Sequence, residues 1–131
     1  MAGERLQVIA DAFEAWNGGD YAAAVQHFSE DGEWYPYLGA LEASVYRGRE
    51  ELKTLFRDLK EHLEIQLELV SIEEVGDKAL VRVRAQGAGS VSGASTAAEW
   101  FQVYSFQGNH IQRVQAFEAR EAAIGAAEAG G

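Results

Sequence analysis

Residues 63–117 read as long β-segments separated by glycine turns, and the stretch before them reads as short helices. This order constrains the fold more than any other feature, because helices followed by antiparallel strands make an α+β pattern. The segments span residues 63–75, 78–88, 95–106 and 110–117. Gly76-Asp77 and Gly108-Asn109 are tight-turn dipeptides that join neighbours into hairpins. Residues 87–93 form a small-residue connection or bulge. A curved sheet wrapped over helices leaves a concave side, the kind of place where small molecules bind.

The helices follow from periodicity. Leu6, Ile9, Phe13 and Trp16 fall on one helical face, and Asn17-Gly18-Gly19 ends that helix. Asp20 caps a second helix over residues 21–28. Asp31-Gly32 reads as a turn. Residues 33–37 read as a first strand, with Trp34 and Pro36 on one side and Glu33, Tyr35 and Tyr37 on the other. Pro36 places that strand at an end or edge. A loop follows over residues 39–44. Arg47-Gly48-Arg49 opens a third helix, residues 49–61, with an apolar stripe of Leu52, Leu55, Phe56 and Leu59. The tail, 119–131, reads as a short helix fraying in Ala and Gly, with 122–131 flexible.

A chain of 131 residues is expected to form one domain, 1–131, with a sizeable core. It has no cysteine, which excludes disulfides, a thiolate nucleophile and cysteine-ligated zinc. The net charge of −10 disfavours nucleic acid and anionic membrane as partners. No long apolar run spans a membrane, and the first residues lack a signal-peptide layout. The expectation is a cytoplasmic protein.

Several stretches together carry a family resemblance. They are Trp34, Val45-Tyr46-Arg47-Gly48-Arg49-Glu50-Glu51-Leu52, Val81-Arg82-Val83-Arg84, the run 87–93, Gly108-Asn109-His110-Ile111-Gln112-Arg113 and Glu121-Ala122-Ala123. With these the chain resembles the SnoaL-like proteins of the nuclear-transport-factor-2-like superfamily. The resemblance implies an α+β cone, a strongly curved, mostly antiparallel sheet around about three N-terminal helices. It also implies a homodimer formed through the outer sheet face, and Trp100, Tyr104 and Phe106 on one side of their strand are assigned to that face. The superfamily holds isomerases, epoxide hydrolases, polyketide cyclases, dehydratases and non-enzymes, so the fold alone does not name a reaction.

Each of the superfamily's known chemistries calls for particular groups at particular positions of this chain. The ketosteroid-isomerase base falls on Pro36 and its oxyanion tyrosine on Ala12. The Asp-Arg-Asp set of limonene epoxide hydrolases falls on Val83, Ala85 and Ala116. These positions lack the required groups. The acid–base aspartate of SnoaL-type cyclases has Glu118 as its nearest acid.

One further acid stands out. With Val81, Val83 and Ala85 inward, the resemblance favours Glu99, Phe101, Val103 and Ser105 as the pocket-facing set of the next strand. Glu99 then lies among Phe13, Trp34, Val83 and Phe101, where desolvation raises a carboxyl pKa and makes a usable general acid or base. The alternative is a Glu99 in solvent or paired with an arginine of a neighbouring strand. Trp16, Trp34 and Tyr46 supply flat walls or a hydroxyl donor, or else ordinary core packing. His27, His62 and His110 occupy solvent-near places. No metal-ligand spacing and no cofactor motif is present. The expected ligand is a small, mostly apolar organic molecule, handled by a cofactor-free isomerase, cyclase, dehydratase or hydrolase, or the chain is a non-catalytic ligand-binding or dimeric accessory protein.

Overall fold

The structure is a computed structural model, and it describes residues 2–35, 45–63, 65–87 and 97–129. Its elements in chain order are α1 (Ala2–Asn17), α2 (Tyr21–Gln26), β1 (Phe28–Tyr35), β2 (Tyr46–Arg47), α3 (Arg49–Leu63), β3 (Ile65–Val75), β4 (Lys78–Gly87), β5 (Ala97–Gln107), β6 (His110–Phe117) and α4 (Arg120–Ala129). The six strands form one sheet in the order β2-β1-β6-β5-β4-β3. β1 and β6 run parallel, and the other neighbours are antiparallel. The register shifts within β1, in β3 between Leu69 and Ser71, and beside Ser105 and Phe106. Such bulges bend and twist a sheet, which gives this open α+β sheet its cone-like form.

The apolar stripe of α1 packs where its spacing predicts. Ile9, Phe13 and Trp16 are buried with Leu52 and Phe56 of α3 and with Val81 and Val83 of β4. Full burial of a side chain such as Ile9 or Leu52 contributes about 1.5–3 kcal/mol. Asn17 pins the end of α1 to β3. Its side-chain amide donates to the Leu67 carbonyl at 2.8 Å, and its oxygen accepts from the Leu67 amide at 2.9 Å. Asp20 caps α2 by accepting from the Ala23 amide.

The helix expected over residues 21–28 ends at Gln26, because Phe28 is already paired with Ile111 of β6. Asp31-Gly32 is not a chain-reversing turn, since it lies in the irregular middle of β1. A Cβ at Gly32 would meet the Phe28 side chain at 3.2 Å and the Ile111 carbonyl at 3.3 Å, so any larger residue would crowd this close approach of β1 and β6. The Gly76 and Gly108 turns form as expected, at φ 64° and 62°. Pro36, Tyr37, the loop 39–44 and most of the connection 87–93 lie outside the described residues.

The sheet carries two apolar layers. On its concave side α1, α2 and α3 cover the main core. On its convex side α4 covers a second cluster, with Ala123 and Ala127 against Leu80 and Val103, flanked by Phe101, Phe117 and Ile124. Alanines let the helix approach the strands closely, so residues 122–128 lie packed on the sheet. Arg120 at the head of α4 is paired with Glu73 of β3 at 2.7 Å.

Candidate functional site

The faces of β4 and β5 decide which side chains line the concave wall. Val81 and Val83 lie in the main core, and their cross-strand partners are Gln102 and Trp100. Ala79 faces Tyr104 in the same layer. The concave face of β5 is therefore Trp100, Gln102, Tyr104 and Phe106. This corrects the expectation that Glu99, Phe101, Val103 and Ser105 face the pocket. It also removes Trp100, Tyr104 and Phe106 from the outer face, where a dimer contact was expected.

Glu99 illustrates the physical reason. Its cross-strand neighbour is Arg84, and Arg84 and Arg82 both project from the convex side. Arg84 Nη2 lies 2.7 Å from one carboxylate oxygen, and Arg82 Nη2 lies 2.6 Å from the other. Hydrogen bonds from Arg84 and then Arg82 outweigh a small burial effect and hold the Glu99 carboxyl below its ordinary value. That is the reverse of the shift expected for a carboxyl in a dry pocket. Phe101 is half-buried on the same convex side, beneath α4. Glu118 is exposed just past the end of β6.

The other expected lining residues lie on the concave side. Val83 is fully buried, and Phe13 and Trp16 are core residues. The Trp16 indole N–H donates to the Phe56 carbonyl at 3.1 Å. Trp34 is half-buried and meets Phe56 edge-on, with ring centroids 5.5 Å apart. Its register partners are Tyr46 on β2 and Val114 on β6. Trp34, Tyr46 and Trp100 all pack on the main core while remaining half-buried. They are aromatic surfaces at the margin of a closed core.

Two neutral polar side chains lie within that wall. Gln102 is 1% exposed and Tyr104 is 3% exposed. The Tyr104 hydroxyl donates to Gln102 Oε1 at 2.8 Å. Burial pushes the Tyr104 phenol far above its ordinary value, so it stays protonated. Sequence reasoning missed Trp100, Gln102 and Tyr104 as lining residues. The charge pattern held the signal, because Arg82 and Arg84 at alternate positions of β4 call for acids opposite them, and Glu99 on β5 and Glu68 on β3 supply them.

A buried carboxylate does exist, at Glu33 on the opposite side of β1 from Trp34. Burial pushes its carboxyl up, but hydrogen bonds from Arg47, Tyr35 and Arg113 together hold it below the ordinary value. Arg47 thus pairs with a buried acid. Arg49 donates to the Phe28 carbonyl at 2.8 Å and so fastens the start of α3 to β1. His27 caps α2 and is half-buried, and His110 is exposed. The side chain of His62 lies outside what is described. Among the described residues, no three His, Cys, Asp or Glu side chains gather as a metal ion would require. No described helix is long and apolar enough to cross a membrane.

The fold is shared with solved structures of low sequence identity, which therefore speak to fold alone. A cystatin-fold protein from Novosphingobium aromaticivorans is 20% identical, with a TM-score of 0.72 over 86% of this chain and 97% of that one. SalBIII, described as an epoxide hydrolase/cyclase-like enzyme in pyran-ring formation in the polyether salinomycin, is 18% identical, with a TM-score of 0.73 over 92% of this chain and 94% of that one. TerC, crystallised with polyporic acid, is 15% identical, with a TM-score of 0.74 over 95% of this chain and 98% of that one. Among proteins of curated function, none matches this chain significantly in sequence. Residues 9–114 match the SnoaL-like domain, and with the helices, sheet order and concave wall described above, this chain belongs to the SnoaL-like family.

Proposed function

We propose that this protein binds a small, mostly apolar organic molecule against the concave aromatic wall of its sheet, as a binding protein with no carboxylate acid–base among the described residues of that wall. The observation that carries the reading is the distribution of charge on β4 and β5. Arg82, Arg84, Glu99 and Glu68 pair with one another on the convex side. On the concave side, Trp100, Gln102, Tyr104, Val81 and Val83 present apolar or neutral surface. A wall of half-buried aromatics with a few placed polar groups is the usual make-up of a small-molecule site. The small organic molecules named with SalBIII and TerC lend support by analogy.

The catalytic reading needs a group that takes or gives a proton near neutral pH. Glu99 is held ionised by two arginines, and Glu33 by two arginines and a tyrosine. Neither fits a general acid, so the binding reading is the stronger.

The test is an NMR titration of the ¹⁵N-labelled protein with indane and acetophenone. Saturable shifts of the Trp34 and Trp100 indole signals are expected. A Trp100→Ala variant should weaken binding about fivefold to thirtyfold, the scale of one lost aromatic contact. Saturable binding that leaves both indoles unmoved, or no binding at all, would overturn the proposal.

A further inference from the structure

We infer that Gln102 and Tyr104 form the polarity filter of the concave site, selecting ligands that carry a neutral oxygen function such as a ketone or hydroxyl over hydrocarbons and carboxylates. This rests on the binding reading above and adds the ligand's chemistry to it.

Two buried polar side chains at alternate positions of one strand are unusual, since burying such groups is unfavourable unless they are hydrogen-bonded. Here they bond each other at 2.8 Å. That contact uses the one phenolic proton of Tyr104 and one acceptor direction of Gln102. The carboxamide has two N–H donors in addition, and the phenol oxygen keeps acceptor capacity. The dyad thus holds a donor and an acceptor side by side, which matches a carbonyl or a hydroxyl.

The register places this dyad beside half-buried positions at the margin of the core. The cross-strand neighbour of Gln102 on β6 is Ala116, which sets only a methyl group beside the carboxamide. Ala116 is half-buried, and so is Trp100, the next concave residue along β5. Deeper along the strand, Tyr104 lies between Val114 and Ala79, all three buried. A ligand approaching past Trp100 and Ala116 meets Gln102 first, and Tyr104 fixes the carboxamide from behind.

Charge favours neutral ligands as well. On the concave faces of β4, β5 and β6, the Tyr104 phenol is the one titratable group among the described residues. Arg82 and Arg84 point the other way and are occupied by Glu99. A carboxylate entering this wall would lose its hydration without gaining a cation from these strands.

The experiment compares acetophenone, ethylbenzene and benzoate, three probes of nearly equal size, by NMR titration at pH 7. Gln102→Leu, Gln102→Met and Tyr104→Phe variants are titrated alongside the wild type. In the wild type, the Gln102 side-chain amide signals should shift with acetophenone, and benzoate should bind more weakly than acetophenone. Replacing Gln102 by Leu or Met should lower the preference for acetophenone over ethylbenzene by about fivefold to tenfold, the worth of one neutral hydrogen bond. Tyr104→Phe should lower it less. The Met variant nearly preserves side-chain length and guards against a Leu variant that fails to fold. A preference that stays within twofold in both Gln102 variants would overturn the filter while leaving the binding site standing. So would benzoate binding tighter than acetophenone. If none of the three probes binds, the binding site itself is refuted, and the filter with it.

Discussion

Removing the charge of Glu33 tests how the first strand is anchored. Glu33 is 8% exposed and accepts from Arg47 Nε at 2.9 Å, Arg113 Nε at 3.1 Å and the Tyr35 hydroxyl at 3.1 Å. In Glu33→Gln, one carbonyl oxygen remains to accept, and an amide N–H₂ replaces the second acceptor. The arginine side chains are 64% and 46% exposed, so water resolvates them once the charge is gone. That solvation discounts the loss from the full worth of charge-assisted bonds to about 1–3 kcal/mol at pH 7. The pH dependence separates charge from packing. The folded carboxyl lies below its unfolded value, so the unfolded state binds more protons between the two. The contribution of Glu33 is therefore complete above the unfolded pKa of about 4.3 and is lost as pH falls through the folded value. Urea unfolding of wild type and Glu33→Gln at pH 7, 5 and 3 should show a constant gap at the first two values and a smaller one at pH 3. A gap that persists undiminished at pH 3 would refute the electrostatic reasoning and assign the effect to packing.

Three other outcomes are expected. Asn17→Ala removes both side-chain bonds to Leu67 and leaves two part-buried backbone groups unpaired, which should cost about 2–4 kcal/mol by urea unfolding. Leu80→Ala, beneath α4, should cost about 2–5 kcal/mol and should raise amide exchange in α4 more than in α1. Glu99→Gln should leave acetophenone affinity within twofold of wild type, because the residue lies on the face away from the wall. A fivefold loss in that titration would return Glu99 to the site.

Much of the fold is legible in the sequence because its signals are local. The α1 stripe, the Asp20 cap and the two glycine hairpins each depend on a few neighbouring residues. The faces of β5 are less legible because both are apolar, one under the N-terminal helices and the other under α4. Phe101 and Val103 read as buried, and so do Trp100 and Tyr104, hence alternation alone cannot choose between them. The pairing register of β4 with β5 decides the matter, and counting along the sequence cannot supply it. The ladder Arg82–Glu99–Arg84 resolves it through charge, a long-range signal. β1 misleads for a different reason. Asp31-Gly32 has the composition of a turn, yet its glycine serves the close passage of Ile111. The placement of Trp34, Tyr46 and Val83 on the concave face was legible, because their faces follow from strands with a clear polar side.

In the proposed site, ligands lie against the concave wall and not on the convex face. Intermolecular NOEs from the ring protons of bound acetophenone locate them. The result expected is contact with Trp34, Trp100 and Ala116. Contacts confined to Phe101, Phe117 and Ile124 would contradict the account and make the surface under α4 the binding face.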